Sequence, residues 1–208
     1  MTYPQVKRLF DIVFAATALV VATPVIILIA SSVLLLDGPP VLFEGKRMGV
    51  GGEEFGMYKF RTMRLGTDHT GPRVTAARDA RITPLGRFLR NWKLDELPQL
   101  INVMRGEMSV VGPRPEDPQY LPCYREEQRH VLDVRPGITG ITQVMYRDEE
   151  RLLTGANVEL QYQTEVLPTK LDLDLSYVRN VSFRTDMRLL VLTLRGILFG
   201  RGRRTNII

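Results

Sequence analysis

The feature that most constrains this chain is a run of 25 residues without a charged side chain, from Ile12 to Leu36. At about 1.5 Å per residue, one continuous helix over this run would reach roughly 37 Å, more than the ~30 Å hydrocarbon core of a bilayer. A secretory signal peptide has a shorter apolar region followed by a small-residue cleavage site. The run is therefore predicted to be a membrane segment.

Thr23-Pro24 falls in the middle of this run. Proline removes one helical hydrogen bond, and a threonine before it can bond back to a carbonyl, so the pair is expected to bend the helix. Two arrangements stay open: a kinked helix that crosses the bilayer, and a re-entrant hairpin that returns to the face it entered. Positive residues usually mark the cytoplasmic side. Both flanks carry them, Lys7 and Arg8 before the run and Lys46 and Arg47 after it.

A second stretch, Lys93–Pro115, concentrates residues suited to chemistry. It places two carboxylates, Asp95 and Glu96, just before Leu97-Pro98. Proline fits the first position of a helix, so a short helix is predicted to begin at Pro98, with the acids at or just before its positive end. That position keeps carboxylates ionised and attracts phosphate. The alternative is an ordinary surface pair at a helix start.

The same stretch ends with an arginine between two prolines, Pro113-Arg114-Pro115. The prolines leave Arg114 few backbone conformations, which suits a guanidinium that must hold one pose against a phosphate. A proline-rich surface turn is the alternative. Because the arginine and the two acids share one short stretch, we favour a common role at one site.

The other segments predict a mostly helical fold with a small β-hairpin. Val41–Lys46 and Glu54–Met63 read as strands around a glycine-rich turn, with Lys59 and Arg61 on one face of the second strand. The remaining predicted elements are a loop over Arg64–Arg81, a helix over Leu85–Trp92 after Thr83-Pro84, helical turns within Glu116–Val134, a turn at Arg135–Gly140, a strand over Ile141–Tyr146, and helices over Gly155–Val166, Asp172–Arg179 and Phe183–Phe199.

Composition narrows the partners and the compartment. The net charge of +5 indicates an anionic partner such as a lipid head group, a nucleotide or a nucleic acid. Nucleic acid is not expected, because no basic strip interleaved with stacking aromatics forms a recognisable module. The single Cys123 excludes an internal disulfide and fits exposure to the cytoplasm, and the isolated His69 and His130 do not suggest a zinc site.

Six motifs, in order along nearly the whole chain, resemble those of the bacterial sugar transferases. These are the monotopic phosphoglycosyl transferases that begin glycan assembly on a polyprenyl phosphate carrier. The family has a serine where this chain has Thr23. Because threonine also carries a hydroxyl group, that group is retained. The motifs are KRLFD (Lys7–Asp11), the Thr23-Pro24 break, YKFRTM (Tyr58–Met63), LDELPQL (Leu94–Leu100), GPRP (Gly112–Pro115) and RPGITG (Arg135–Gly140).

The resemblance implies transfer of a sugar-1-phosphate from a UDP-sugar to undecaprenyl phosphate, with release of UMP, as the first step of glycoconjugate or exopolysaccharide assembly. By that resemblance Asp95 is the nucleophile that forms a phosphosugar-aspartyl intermediate, and Glu96, beside Asp95, binds Mg²⁺. Pro113, Arg114 and Pro115 match the family's Pro-Arg-Pro motif. Physical chemistry agrees, since a diphosphate repels an anionic nucleophile unless Mg²⁺ and arginines such as Arg114 and Arg90 supply positive charge.

The expected fold is α+β and mostly helical. An N-terminal re-entrant membrane helix-hairpin at 1–39 would anchor a catalytic core at 40–208, in which a small β-hairpin and amphipathic interfacial helices surround the site. The resemblance places this core at the cytoplasmic face of the bacterial inner membrane, in contact with lipid. There the acceptor's phosphate lies at head-group level.

The resemblance further implies that some of five charged residues line the donor site, with ordinary surface salt bridges as the alternative. Sugar specificity is expected to depend on the loop at 64–81 or the segment at 146–155. The oligomeric state stays open, a homodimer among the alternatives. A competing function is a non-catalytic, membrane-tethered nucleotide-binding or scaffold protein, which the loss of either acid would favour. The five residues are Lys59, Arg61, Arg147, Asp174 and Asp186.

Overall fold

The structure is a computed structural model that describes residues 3–67, 74–75, 79–147, 149, 152–153 and 157–199. The fold is mostly helical with two small sheets, as expected. The helices are α1 (Tyr3–Leu36), α2 (Pro84–Asn91), α3 (Gln99–Arg105), α4 (Ile141–Met145), α5 (Val158–Gln161), α6 (Leu167–Arg179) and α7 (Phe183–Phe199), and the strands are β1 (Leu42–Met48), β2 (Glu54–Phe60), β3 (Ser109–Val111) and β4 (Gly137–Thr139).

Helix α1 is long and apolar enough to cross a bilayer, and Pro24 lies inside it. The Thr23 hydroxyl donates to the carbonyl oxygen of Leu19 at 2.7 Å, which is the back-bond expected before a helical proline. The buried residues of α1 lie on one face of the helix. At 3.6 residues per turn, they all fall within about 40° of one another around the helix axis. These buried residues are Asp11, Ala15, Ile29 and Val33.

Both ends of this buried face contact the same folded unit. Near the start, Ala15 packs in a cluster with Val103, and near the end Val33 packs in a cluster with Phe60. The opposite face of α1 is apolar and exposed along its length, with Leu9, Val13, Val20 and Ile27 each more than half exposed. Helix α1 therefore lies along the rest of the protein with one face and presents a second apolar face outward.

The predicted hairpin is confirmed. Strands β1 and β2 pair antiparallel, with Gly45 opposite Met57. The connection contains a 3₁₀ turn at Val50–Gly52, in which Gly51 and Gly52 have φ of 68° and 82°. Only glycine adopts such angles without strain, so the glycines allow the tight connection.

A second sheet brings two of the sequence motifs together. Strands β3 and β4 are parallel, with Ser109 opposite Gly137 and Val111 opposite Thr139. A Cβ atom on Gly137 would lie 2.1 Å from the backbone nitrogen of Gly112, so a side chain has no room there. The glycines therefore hold the GPRP and RPGITG segments in direct contact.

One prediction of local structure is wrong. The predicted strand Ile141–Tyr146 is helix α4, and the strand lies earlier, inside the predicted turn, where Gly137–Thr139 completes the sheet with β3. Helix α4 contacts α6 and α7, which bury Ile141 and Thr142 and override the β propensity of the segment. Within Glu116–Val134 the expected helical turns are two 3₁₀ helices, Pro118–Cys123 and Glu126–Asp133. Pro118 and Pro122 have no N–H to donate, so the first of them cannot be a regular α-helix.

The helical segment before α7 is longer than predicted. Helix α5 continues through a π-helical turn, Tyr162–Val166, directly into α6, which begins five residues before the predicted Asp172. Pro168 has no N–H for the preceding turn, so the regular bonding pattern changes there. Helix α7 has the predicted bounds, whereas Gly155 and half of the predicted loop between 64 and 81 lie outside the described residues.

Asn102 generates a stability prediction, because it is fully buried and ties α3 to β2. Its amide group donates to the Gly56 carbonyl and the Glu107 carboxylate, both at 2.7 Å, and its oxygen accepts the N–H of Tyr58 at 3.0 Å. We expect Asn102→Ala to lower the free energy of unfolding by about 2–4 kcal/mol, because buried partners lose their bonds. Urea denaturation would measure it. The exposed Asn91→Ala should change stability by less than about 0.5 kcal/mol, and equal effects would contradict this role.

Candidate active site

Asp95 and Glu96 lie together in a 3₁₀ turn, Leu94–Glu96, immediately before α3. The predicted start of that helix is confirmed, since Pro98 occupies its N-cap position. Lys93 enters the turn in the left-handed region, with φ of 57°. Both acids are buried, with 5% and 8% of their surfaces exposed. Two adjacent carboxylates that are shielded from solvent require compensating positive charge nearby.

Two cations from different segments supply that charge to Glu96. The Lys59 ammonium lies 3.0 Å from Glu96 Oε1, and Arg114 Nη2 lies 3.6 Å from the same oxygen. Burial disfavours ionisation, but Lys59 and Arg114 outweigh it and hold the pKa of the Glu96 carboxyl well below its usual range. Glu96 is therefore ionised at neutral pH.

Asp95 has the opposite environment. Burial raises the pKa of its carboxyl, the negative charge of Glu96 adds to the effect, and Lys59 counters it. Its Oδ1 atom is buried and has no hydrogen-bond partner among the described residues. Buried polar atoms in proteins are almost always paired. An oxygen left without a partner beside a cationic group is suited to bind a metal ion or to attack an electrophile.

The donor set of the dyad fits Mg²⁺. This ion typically uses one or two carboxylates and completes its octahedral shell with water and substrate phosphate. Among the described residues there is no cluster of three or more histidine, cysteine or acidic side chains. Any Mg²⁺ held by Asp95 and Glu96 would therefore depend on its substrate and on water for most of its ligands.

A cavity of about 2450 Å³ opens in front of the dyad. Its size exceeds that of a typical small-molecule site, so it has room for a nucleotide sugar. Five basic side chains that the sequence analysis assigned to the site line the cavity together with the two acids. The binding of a polyanion in the cavity would therefore be favoured. The cations are Lys59, Arg61, Arg90, Arg114 and Arg147.

Arg114 is positioned through its backbone as well as by its side chain. Its N–H donates to Asp174 Oδ2 at 3.4 Å, and the preceding carbonyl, of Pro113, accepts the N–H of Gly137 at 2.8 Å. Pro115 lines the cavity. Burial works against the charge of Arg114, but Glu96, Glu116 and other carboxylates raise the pKa of its guanidinium above the usual range. Arg114, whose side chain is 31% exposed, therefore stays charged.

Three other cations take separate positions at the cavity. Arg61 is almost fully buried and donates to the carbonyls of Asp37 and Gly38, just beyond the end of α1, at 2.6 and 2.5 Å. Arg90 Nε donates to the Thr62 hydroxyl at 3.0 Å. Arg147 lies against α7, where a Cβ on Gly196 would be 2.6 Å from its guanidinium nitrogen.

Asp174 and Asp186 are not among the residues that line the cavity. Burial raises the pKa of Asp174 to about 7, and the Thr142 hydroxyl donates to it at 3.1 Å. Asp186 accepts hydrogen bonds from Tyr177 at 2.6 Å and from Lys7 at 2.5 Å, and so joins α7 to the start of α1. In this structure both aspartates support other elements, and their contact with a donor stays a prediction.

Four side chains at the cavity, two of them buried and two half-buried, were not anticipated from the sequence. Two signals were present: Glu116 directly follows the Pro-Arg-Pro motif, and Lys170 lies on the buried face of α6 among leucines. A lysine on an apolar helix face indicates a buried charge partner. The four residues are Glu116, Glu149, Tyr162 and Lys170.

Comparison with known proteins assigns the class. A family model described as "Bacterial sugar transferase" matches residues 2–200. The chain belongs to this family, as its motifs indicated. The match includes every residue that the structure describes, so the fold, the dyad and the Pro-Arg-Pro segment all lie within it.

Three curated relatives are between 34% and 41% identical to this chain. The chain is 41% identical over 197 residues to the sugar transferase EpsL of Bacillus subtilis, covering 94% of this chain and 89% of that protein. It is 40% identical over 92% of its length to the UDP-glucose:undecaprenyl-phosphate glucose-1-phosphate transferase of Xanthomonas campestris, and spans 38% of that protein. It is 34% identical over 97% of its length to a UDP-N-acetylgalactosamine-undecaprenyl-phosphate N-acetylgalactosaminephosphotransferase of Aeromonas hydrophila, and spans 46% of it.

The site geometry predicts that Arg114 binds anions. We expect Arg114→Gln to weaken the binding of UDP by roughly 10- to 100-fold, the effect of losing charge-assisted hydrogen bonds. Isothermal titration calorimetry with and without MgCl₂ would measure the dissociation constant. Arg129→Gln is the matched control, because Arg129 is about half exposed and lies outside the cavity lining. Unchanged UDP affinity in the Arg114 variant would contradict the assignment.

Proposed function

We propose that this protein transfers a sugar-1-phosphate from a UDP-sugar to undecaprenyl phosphate, or another polyprenyl phosphate, and releases UMP. Two of the relatives carry names that state a transfer of this type. The observation that carries the proposal is the buried, unpartnered Oδ1 of Asp95, next to a Glu96 held ionised by Lys59 and Arg114. A transferase of this kind would start the assembly of an exopolysaccharide or another glycoconjugate.

The proposed reaction has two displacements at phosphorus. In the first, Asp95 Oδ1 attacks the phosphorus that bears the sugar, the bond from that phosphorus to the bridging oxygen breaks, and UMP leaves with that oxygen. In the second, a phosphate oxygen of the polyprenyl acceptor attacks the same phosphorus, and the aspartyl oxygen leaves as a free carboxylate. The product is a polyprenyl diphosphosugar, and Asp95 is regenerated. A covalent intermediate divides one difficult step into two and gives ping-pong kinetics.

The charges around the dyad suit this chemistry. Lys59 and Arg114 lie at Glu96 and face the cavity, where they can bind the diphosphate oxygens of the donor. Asp95 must be ionised to attack, and the approach of further positive charge would lower its raised pKa. Glu96 and Asp95 would hold Mg²⁺, which supplies charge neutralisation of the phosphates.

The contacts of α1 support a monotopic arrangement, which we place at the cytoplasmic face of the inner membrane. Both ends of the helix contact one polar folded unit, so they could lie on opposite sides of a ~30 Å core only if that unit entered the lipid. The exposed apolar face of α1 would contact lipid, together with Phe88 and Trp92, which are about half exposed on and just after α2. This favours a re-entrant helix over a crossing one. A homodimer stays a prediction.

The competing function is a membrane-tethered protein that binds nucleotides without catalysis. Such a protein would need the cationic cavity but no buried acid without a hydrogen-bond partner. Leaving a buried polar atom unpaired costs stability, so a binding module has no physical reason to keep it. The dyad therefore favours the enzyme.

The nucleophile is tested by Asp95→Asn, which keeps the shape of the side chain but removes its charge. We expect UMP release from UDP-sugars in the presence of undecaprenyl phosphate to fall by more than about 1000-fold. Mass spectrometry of the wild-type protein incubated with its donor should show a phosphosugar adduct on Asp95, and chelation of Mg²⁺ should stop turnover until Mg²⁺ is restored. The exposed Asp133→Asn is the control. Full activity of the Asp95 variant would refute the mechanism.

Topology is tested by single cysteines at exposed positions on either side of α1, in a Cys123→Ser background. Pro4→Cys lies in the first turn of the helix, and Lys46→Cys lies on β1 after it. We expect both cysteines to react with an impermeant maleimide only when the cytoplasmic face is accessible. Labelling of the two positions from opposite sides would overturn the monotopic arrangement.

A further inference from the structure

A buried ionic cluster adjoins the dyad on the side of Arg114. The Lys170 ammonium lies 2.8 Å from Glu116 Oε1 and 3.0 Å from Glu149 Oε2, and it donates to the Tyr162 hydroxyl at 2.8 Å. The Tyr162 hydroxyl in turn donates to Glu116 Oε2 at 2.7 Å. The side chain of Lys170 is only 3% exposed. All three N–H donors of the lysine are therefore used within the cluster.

Stability alone does not explain this cluster. Burying charges carries a desolvation cost that is often no better than neutral against well-packed apolar residues. The cluster forms part of the cavity lining, and its polypeptide connects directly to the site, because Glu116 follows Arg114 by two residues. The π-helical turn that carries Tyr162 is a rare feature, and such turns occur frequently at functional sites.

Helix α6 holds the Arg114 segment at two points. Lys170 binds the side chain of Glu116, and Asp174, one helical turn later on the same face, accepts the backbone N–H of Arg114. Arg114 thus lies between two sets of carboxylates: Glu96 of the dyad, and the pair Glu116 and Glu149. Both sets favour its charge.

We propose that Lys170 is a positioning residue, which neutralises Glu116 and Glu149 so that Arg114 remains directed at Glu96 and at the donor phosphate. The inference rests on the proposed function, since it concerns how the same site holds its arginine. Besides Lys170, Arg114 lowers the pKa of Glu116. Arg47 also interacts with the charge of Glu116, and its side chain is paired with Asp117 at 3.4 Å. Without Lys170, the two carboxylates would therefore draw Arg114 away from the dyad.

A charge-restoring pair of variants tests this. The cluster has one positive and two negative charges, a net charge of −1; Lys170→Met makes it −2, and adding Glu116→Gln returns it to −1. We expect Lys170→Met to lower kcat for UMP release by roughly 30-fold and to weaken UDP binding by roughly 10-fold, the order of one charge-assisted hydrogen bond. The double variant and Lys170→Arg should both recover to within about fivefold of the wild-type protein.

Thermal stability separates positioning from folding. A merely structural role predicts that activity follows the melting temperature, so that the double variant, with two altered buried residues, is no better than Lys170→Met. Recovery of kcat and of UDP affinity in the double variant, without recovery of Tm, supports positioning. If Lys170→Met alone does not fold, the double variant and Lys170→Arg are decisive by the same criterion.

The outcomes also separate this inference from the proposed function. Asp172→Asn, on the exposed side of α6 two residues from Lys170, is the matched control and should keep wild-type activity. Wild-type turnover together with an active Lys170→Met variant overturns only the positioning role. If the wild-type protein releases no UMP from any UDP-sugar, the proposed function fails, while UDP affinity across the variants still tests whether Lys170 controls Arg114.

Discussion

The site depends on one carboxylate held by two cations. Glu96 is supplied by the turn before α3, Lys59 by β2 and Arg114 by the segment after β3, so the ion pairs join three parts of the chain. In a dry site, one carboxylate beside another would be too costly to ionise without such compensation. Because Lys59 and Arg114 act chiefly on Glu96, its neighbour Asp95 is left with a raised pKa and a free oxygen. The unequal sharing of positive charge gives two adjacent acids different electrostatic environments.

The membrane helix is coupled to this site by polar contacts as well as by packing. At its start, Asp11 accepts the N–H of Val110 at 3.0 Å, and Arg8 donates to the carbonyl of Val103 at 2.7 Å, at the edges of β3 and α3. Just beyond its end, the carbonyls of Asp37 and Gly38 accept hydrogen bonds from Arg61, which follows Lys59 by two residues. The height of the dyad relative to α1 is therefore fixed from both directions. A protein that acts on a lipid-linked phosphate needs this coupling, because the acceptor's phosphate cannot leave the head-group level.

A second layer of charge supports the first. Helix α6 holds Glu116 through Lys170 and the backbone of Arg114 through Asp174, both by contacts more than fifty residues apart in sequence. In this second layer, each charged side chain has a partner of opposite sign or a hydrogen bond. Buried ion pairs often add little net stability, and the position of this cluster near Arg114 suggests that it holds that arginine in place. In the proposed mechanism, the arginine that would bind the substrate is thus held in place by α6.

Features that depend on local pattern could be predicted from the amino-acid sequence. The uncharged run gave the long helix, alternation with glycines gave the hairpin, and Pro98 fixed the start of α3, because each signal lies within a few residues of the structure it specifies. Three further outcomes could not be predicted from local pattern. Ile141–Met145 is a helix, and Asp174 and Asp186 support neighbouring elements. Lys170 forms an ion pair with Glu116. These outcomes depend on which segments are brought together, since burial against a distant helix overrides local propensity and a charge partner far along the chain leaves no mark on the local pattern.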